Sequence, residues 1–441
     1  MKKLFMFAAT ALVLAACTSD DALNVEAPAE SLQAVNFDTY TADATRAYTS
    51  GVMTTALLGD PGFGVFAYHS QGTSGADGAY AAGGVPNFMY DQAVTYGTSW
   101  TYSPLKYWPN ETTKDMLSES GAAYSGTVGT STKNDVLSFF AYAPYVASAT
   151  STTPGTNSGI NAMMAKDGTT DPWIQYTVST KPSTCVDLVW GVAPAGGLSY
   201  TAVNNNNISV GQGLPLKDLV KPSKDQKIKF LFQHALARIG MTVVAAVDQI
   251  APGGTLDSNT KIYVNSVTLA DAGTSIPRYA KLNLNNTNAG IALWYEPESP
   301  AVKYSATINS GNELNTDLQN GGTGVTTTEK KVIAQSGGKD QYLMLIPTPG
   351  TVGTFDVTID YDVVTTDAAL NAGKSTINNV ITKQITLNTP STFSPGIAGF
   401  VNNKAYNLKL ILGLTSVKLD AEVADWEVDG STEVNLPRNE E

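Results

Sequence analysis

Phe355-Asp356-Val357-Thr358-Ile359-Asp360-Tyr361-Asp362-Val363 is the segment from which the architecture is read. Phe355, Val357, Ile359, Tyr361 and Val363 hold every second position, and Asp356, Thr358, Asp360 and Asp362 fill the gaps. Successive side chains of a strand point to opposite faces, so this period of two gathers five apolar groups on one side and the polar groups on the other. The segment therefore reads as a half-buried antiparallel strand, one face on a core and one on water.

The same period recurs on both sides of it. Phe63, Val65 and Ala67 alternate with Gly64, Phe66 and Tyr68; Tyr406, Leu408, Leu410 and Leu412 alternate with Asn407, Lys409 and Ile411. Val417, Leu419, Ala421 and Val423 alternate with Lys418, Asp420 and Glu422. Residues 136–142 (VLSFFAY) read as a largely buried strand. Turns rich in Gly and Asn, such as 204–207 and 320–324, separate such runs. Ile228, Phe230 and Phe232 alternate with Lys227, Lys229 and Leu231, and residues 242–247 are β-branched and apolar, so strands are expected there, with room for one helical turn near His234. The expectation is an all-β protein. A chain of 441 residues exceeds one ordinary core and suits two domains. The polar stretch 215–224, with Pro222, is the expected linker, which sets the boundaries at 47–225 and 226–441.

Charged residues make up only 15% of the chain and the net charge is -12, so the surface must be built largely from Thr, Ser, Asn and Gly. No basic patch is visible, which excludes nucleic acid as a partner, and an acidic polar surface fits an extracellular body. The two cysteines are Cys17 and Cys185. With Cys17 assigned below, no disulfide framework or cysteine-based metal site is left. Cys185 lies in an apolar run, 184–190, and is expected to be a buried, inert thiol.

A catalytic constellation is not found. The two histidines, His69 and His234, form no His-Glu-x-x-His pair, and no Gly-x-Ser-x-Gly elbow is present. His234 follows Phe230-Leu231-Phe232 and is expected to be packed and hydrogen-bonded. Residues 368–375 end in Gly373-Lys374-Ser375 but begin with Ala368 where a phosphate loop needs Gly, so a hairpin loop is expected. Asp356, Asp360 and Asp362 share a face that could recruit calcium, but a solvated sheet face is the expectation. No enzyme, cofactor or metal is expected, although the 39 carboxylates leave open a pair that meets only in the fold.

The chain opens with Lys2 and Lys3, followed by an apolar stretch, 4–16, too short for the roughly 20 residues of a spanning helix. It ends in Leu14-Ala15-Ala16-Cys17, a lipobox whose cysteine thiol receives diacylglycerol, so residues 1–17 are read as a lipoprotein signal with lipid on Cys17. Thr18-Ser19-Asp20-Asp21 resembles a surface-export signal; the alternative is a solvated tether. Beyond it, residues 18–45 contain no Lys or Arg. Arg46 is one of only four arginines, with Arg238, Arg278 and Arg438, and it sits in a polar leader where an Arg-specific protease would find it. Just upstream, Val35, Phe37 and Thr39 alternate with Asn36, Asp38 and Tyr40, a short strand. Residues 18–46 thus read as a removable leader carrying a β-strand, or as a linker that happens to contain one arginine.

In order along the chain, these features resemble the fimbrillin family, the major subunits of type V pili. Trp100-Thr101-Tyr102 followed by Tyr107-Trp108-Pro109 is similar to the family's N-domain strand pair, and Phe139-Phe140-Ala141-Tyr142-Ala143-Pro144-Tyr145 to the strand after it. His234-Ala235-Leu236-Ala237 resembles the entry to the second domain, and Phe393-Ser394-Pro395-Gly396, Tyr406 to Leu412 and Val417 to Trp426 resemble the C-terminal run. The resemblance implies two transthyretin-like antiparallel β-sandwich domains in tandem. It implies an outer-membrane lipoprotein precursor that a trypsin-like protease cuts between Arg46 and Ala47. The cut removes lipid and leader strand together and opens a groove that a strand from a neighbouring pilus subunit fills.

The candidate donor strand is the C-terminal tail, where Thr432, Val434 and Leu436 alternate with Glu433 and Asn435; a longer donor that includes Val417 to Trp426 and a frayed terminus are the alternatives. The implied role is a fimbrial subunit serving cell adhesion, with other pilus subunits, the outer membrane, the protease and a host or bacterial receptor as partners. The competing roles are a tip or anchor subunit, and a surface glycan-binding lipoprotein on which Trp100, Tyr102 and Trp108 stack sugars.

Overall fold

Alternating side chains give this chain strands almost throughout. The computed structural model describes residues 33–41, 58–71, 80, 84–109, 135–147, 158–193, 214–219, 227–246, 257–271, 276–285, 292–295, 304–309, 313–336, 340–347, 353–387, 400–414 and 417–425. Cys17, Arg46, Ala47, Thr432, Val434 and Leu436 lie outside the described residues. The strands are β1 (Phe37–Thr41), β2 (Phe63–Gln71), β3 (Met89–Tyr96), β4 (Trp100–Thr101), β5 (Asp135–Ala143), β6 (Gly159–Met163), β7 (Trp173–Thr177), β8 (Val189–Val192), β9 (Leu216–Leu219) and β10 (Ile228–His234). They continue with β11 (Ala237–Ala245), β12 (Thr260–Asp271), β13 (Tyr279–Asn283), β14 (Leu293–Tyr295), β15 (Ser305–Asn309), β16 (Lys330–Lys331), β17 (Leu343–Leu345), β18 (Gly353–Thr366), β19 (Lys374–Leu387), β20 (Lys404–Leu412) and β21 (Val417–Asp425). The fold is all-β.

The first sheet has the order β1-β10-β8-β5-β2-β3-β4, with β9 on β5. Its central strands β2, β5 and β8 are buried on both faces. Phe63, Val65, Leu137, Phe139, Ala141, Val189, Phe230 and Phe232 meet in one core, while Phe66, Phe140, Tyr142, Trp190, Val192 and Leu231 face another. Residues 33–41 bond both ends of this sheet, so it curls round the first core, which lies on its concave side. The second continues onto the sheet β14-β13-β7-β6 through Ile174, Tyr176 and Leu282. That sheet draws strands from both sides of residue 225, because β13 pairs with β7.

The remaining sheets, β16-β11-β20-β21 (with β17 on β11) and β15-β12-β18-β19, form a sandwich. Ile239, Met241 and Val243 from one meet Phe355, Val357, Ile359 and Tyr361 from the other in a shared core. The alternation of β18 is realised in full: Phe355, Val357, Ile359 and Tyr361 have no exposed surface, and Val363 is buried. Most pairings are antiparallel, but two are parallel, β1 with β10 and β11 with β20.

Two local expectations change. Residues 216–219, within the expected linker, form β9, because Leu216 and Leu219 fill the concave core and the Asp218 backbone N–H donates to Ser138 Oγ at 2.9 Å. Around His234 no helical turn forms: β10 passes into β11 through a bend at Leu236, with Ala235 and Leu236 fully buried between the two strands. The loop 367–373 is the hairpin turn expected there, closed by Asp367 N–H to Gly373 O at 3.0 Å, with Gly373 at a φ of 68° that favours glycine.

Candidate functional site

The strand β1, within the segment read from the sequence as a leader, is the candidate site. It runs parallel to β10 with Phe37 beside Ile228 and Thr39 beside Phe230. The Ile228 N–H donates to Asn36 O at 2.8 Å. The residues just before β1 bond the opposite end of the sheet. Val35 N–H donates to Lys106 O and Trp108 N–H to Gln33 O, each at 2.9 Å, and Ala34 bridges Tyr107. Residues 33–41 therefore join the two ends of the first sheet, β10 on one side and the segment after β4 on the other.

The side chains follow from the alternation. Val35, Phe37 and Thr39 point into the concave core and are buried, whereas Asn36 is exposed. Phe37 lies at 5.9 Å from Phe230 in a stacked arrangement and edge-on to Phe63 at 6.0 Å and Phe139 at 5.9 Å. Such offset and edge-on contacts are the favoured geometries between aromatic rings. Fully burying Val35 and Phe37 contributes about 1.5–3 kcal/mol each. Gly191 makes room for this packing: a methyl group there would sit 2.8 Å from a ring carbon of Phe230 and 2.9 Å from Cβ of Ala141.

Tyr102 ties the leader to the segment after β4. Its hydroxyl donates to Val35 O at 2.8 Å and accepts from Lys106 N–H at 3.2 Å. Burial pushes its phenol up to about 12, so it remains a donor throughout the physiological range. One group of the leader is left unmatched: the buried Thr39 hydroxyl has no hydrogen-bond partner among the described residues.

The other residues singled out from the sequence serve packing. Tyr102 and Trp108 are buried in the concave core, and Trp100 packs partly buried against Phe63. His234 Nδ1 lies 2.7 Å from Asp187 Oδ2, both side chains buried. Cys185 is buried and its thiol is pushed up to about 12 by that burial. On the outer face of β18, Asp360 accepts from Asn265 and Asn378, Asp362 from Asn378, and Asp356 from Gln384. Sequence reasoning expected a strand at the position of β1. It did not identify its neighbours β10 and 106–108, because pairing between segments far apart in the chain leaves no local signal.

A comparison with protein-family models finds no match, and none is found among curated proteins. Among solved structures, the chain is similar to a fimbrial protein from Bacteroides vulgatus, with a TM-score of 0.57 and 20% identity over 89% of this chain and 99% of that one. At that identity the likeness establishes a common fold. A protein provisionally assigned to cell adhesion from Bacteroides uniformis overlaps 90% of this chain at 14% identity, but its TM-score of 0.38 is too low to bear on the argument.

Proposed function

We propose that this protein is a structural subunit of a bacterial surface fimbrium that serves adhesion. In this reading it is exported as a lipoprotein through Cys17, cut between Arg46 and Ala47, and polymerised when a neighbour's strand takes the place of β1. The observation that carries the reading is the position of β1. It completes a hydrogen-bonded sheet and fills an aromatic core, yet it belongs to a leader whose only arginine follows the end of the strand by five residues. Loss of residues 1–46 would leave the β10 edge, the 106–108 edge and the pocket of Phe37 open together. Buried backbone groups require partners, so an opened slot favours capture of another strand. Donor and slot lie on different surfaces of a subunit, so the contact is heterologous and builds an open filament. The fold shared with the Bacteroides fimbrial protein supports the same role. The role is architectural rather than catalytic.

A tip or anchoring subunit that keeps its leader is the second reading, and the deep burial of Phe37 favours it. Brief treatment of the leader-containing protein with an Arg-specific protease separates the two. The expected result is a new terminus at Ala47 and heat-resistant oligomers in electron micrographs. Cleavage that leaves a stable monomer, or an Arg46 bond that resists the protease, overturns polymerisation by strand replacement.

A further inference from the structure

A second edge of the fold is built for pairing. β19 is the edge strand of the sheet β15-β12-β18-β19, and among the described residues it pairs only with β18, through fourteen consecutive residues without a bulge. Natural edge strands are shielded by shortness, proline, bulges or charged side chains, lysine above all. β19 has no proline and no acidic residue; its two lysines, Lys374 and Lys383, stand towards its ends, Lys383 on the inner face, and between them Ile377 and Val380 are 60% and 61% exposed.

The sequence of the strand states what fits against it. Thr376-Ile377-Asn378-Asn379-Val380-Ile381-Thr382 is nearly palindromic about Asn379. We propose that β19 is a homotypic interface, at which the β19 edges of two copies of this chain pair antiparallel about a two-fold axis through Asn379. A two-fold axis perpendicular to a sheet keeps each face on its own side, so directly opposed residues must share a face. With Asn379 opposite its own copy, Ile377 meets Ile381 on the inner face, and Thr376 meets Thr382 and Asn378 meets Val380 on the outer one. β-branched and Thr–Thr pairs of this kind stabilise cross-strand contacts.

Charge agrees with this register. Lys383 falls opposite Ser375, and Lys374 opposite Gln384, so no like charges face each other. Gln384 Nε2 donates to Asp356 Oδ1 at 3.3 Å, which brings the incoming Lys374 next to a carboxylate of β18. Asn379 does not obstruct the edge, because its side chain donates to Leu414 O at 3.3 Å across the inner face. The overlap from Lys374 to Gln384 involves about half the roughly 20–30 residues a side of a standard interface, so the isolated contact is weak, in the range of about 10–1,000 µM. The inference is independent of leader release.

The test uses the full, uncleaved chain. In a thiol–disulfide buffer, Asn379→Cys is expected to form a 379–379 cross-link, identified by peptide mass, at least about tenfold faster than Val380→Cys. Opposed Cβ atoms lie about 4.5–5.5 Å apart and diagonal ones about 7–8 Å, so only the first pair is near disulfide distance. Random collision would give the reverse order, since Val380 is the more exposed. Sedimentation of the unmodified chain is expected to reveal a monomer–dimer equilibrium. Ile377→Lys is expected to weaken it about tenfold or more by placing a charge against Ile381. Val380→Cys cross-linking as fast as Asn379→Cys overturns the proposal. So does a monomer at all concentrations up to about 1 mM, or an Asn379→Cys thiol inaccessible to small reagents because another segment of the chain covers it.

Discussion

Phe37 touches Phe63, Tyr102, Phe139 and Phe230, one ring on each of four separate segments of the concave core. Replacing it by alanine removes the ring and leaves a cavity among side chains held by a hydrogen-bonded sheet, which cannot collapse fully. Phe37→Ala should lower the unfolding free energy of the uncleaved chain by about 3–5 kcal/mol in denaturant titration and hasten cleavage at Arg46. Thr39 works the other way. Its buried, unpartnered hydroxyl weakens the seat of the leader, and Thr39→Val removes that polar group while keeping the branched shape. Thr39→Val should stabilise the uncleaved chain by about 1 kcal/mol and slow release of the leader fragment after the cut, measured as its rate of separation on a gel-filtration column.

At the scale of the element, the strand pattern was legible wherever one face is wet. β18 and β20 have polar outer faces, so their alternation survives in the sequence and matches the burial of Phe355, Tyr361, Leu408 and Leu410. β2 and β5 are buried on both faces, and there the sequence indicates a strand but not which side meets which core. β9 was hidden because four residues with two leucines, beside Pro215, resemble a linker until Ser138 and the concave core are brought to them. The parallel pairing of β1 with β10 was not legible, since it joins residues nearly two hundred positions apart. Gly191 of β8 explains how that pairing is accommodated, because it lets Phe230 lie flat beneath Phe37. Gly191→Ala should therefore cost about 1–3 kcal/mol by overpacking and raise the protease sensitivity of the leader. An unchanged melting curve together with unchanged cleavage would remove Phe230 from the account.

At the scale of the whole molecule, the leader strand completes one sheet and its removal leaves that sheet open at both ends. The sandwich of β11, β20, β12 and β18 shares no hydrogen-bonded strand with β1, so it should be unaffected by the cut. That contrast supplies the most direct test, amide hydrogen exchange on three states of one preparation: uncleaved chain, cleaved chain held dilute, and cleaved chain after polymerisation. Exchange reports the opening free energy of each bonded region. Protected β10 amides are expected in the first state, loss of protection in the second and its return in the third, with β18 protected in all three. Equal protection of β10 before and after cleavage, in a chain that has lost residues 1–46 and remains monomeric, would contradict the claim that the leader strand holds the place of a neighbour's strand.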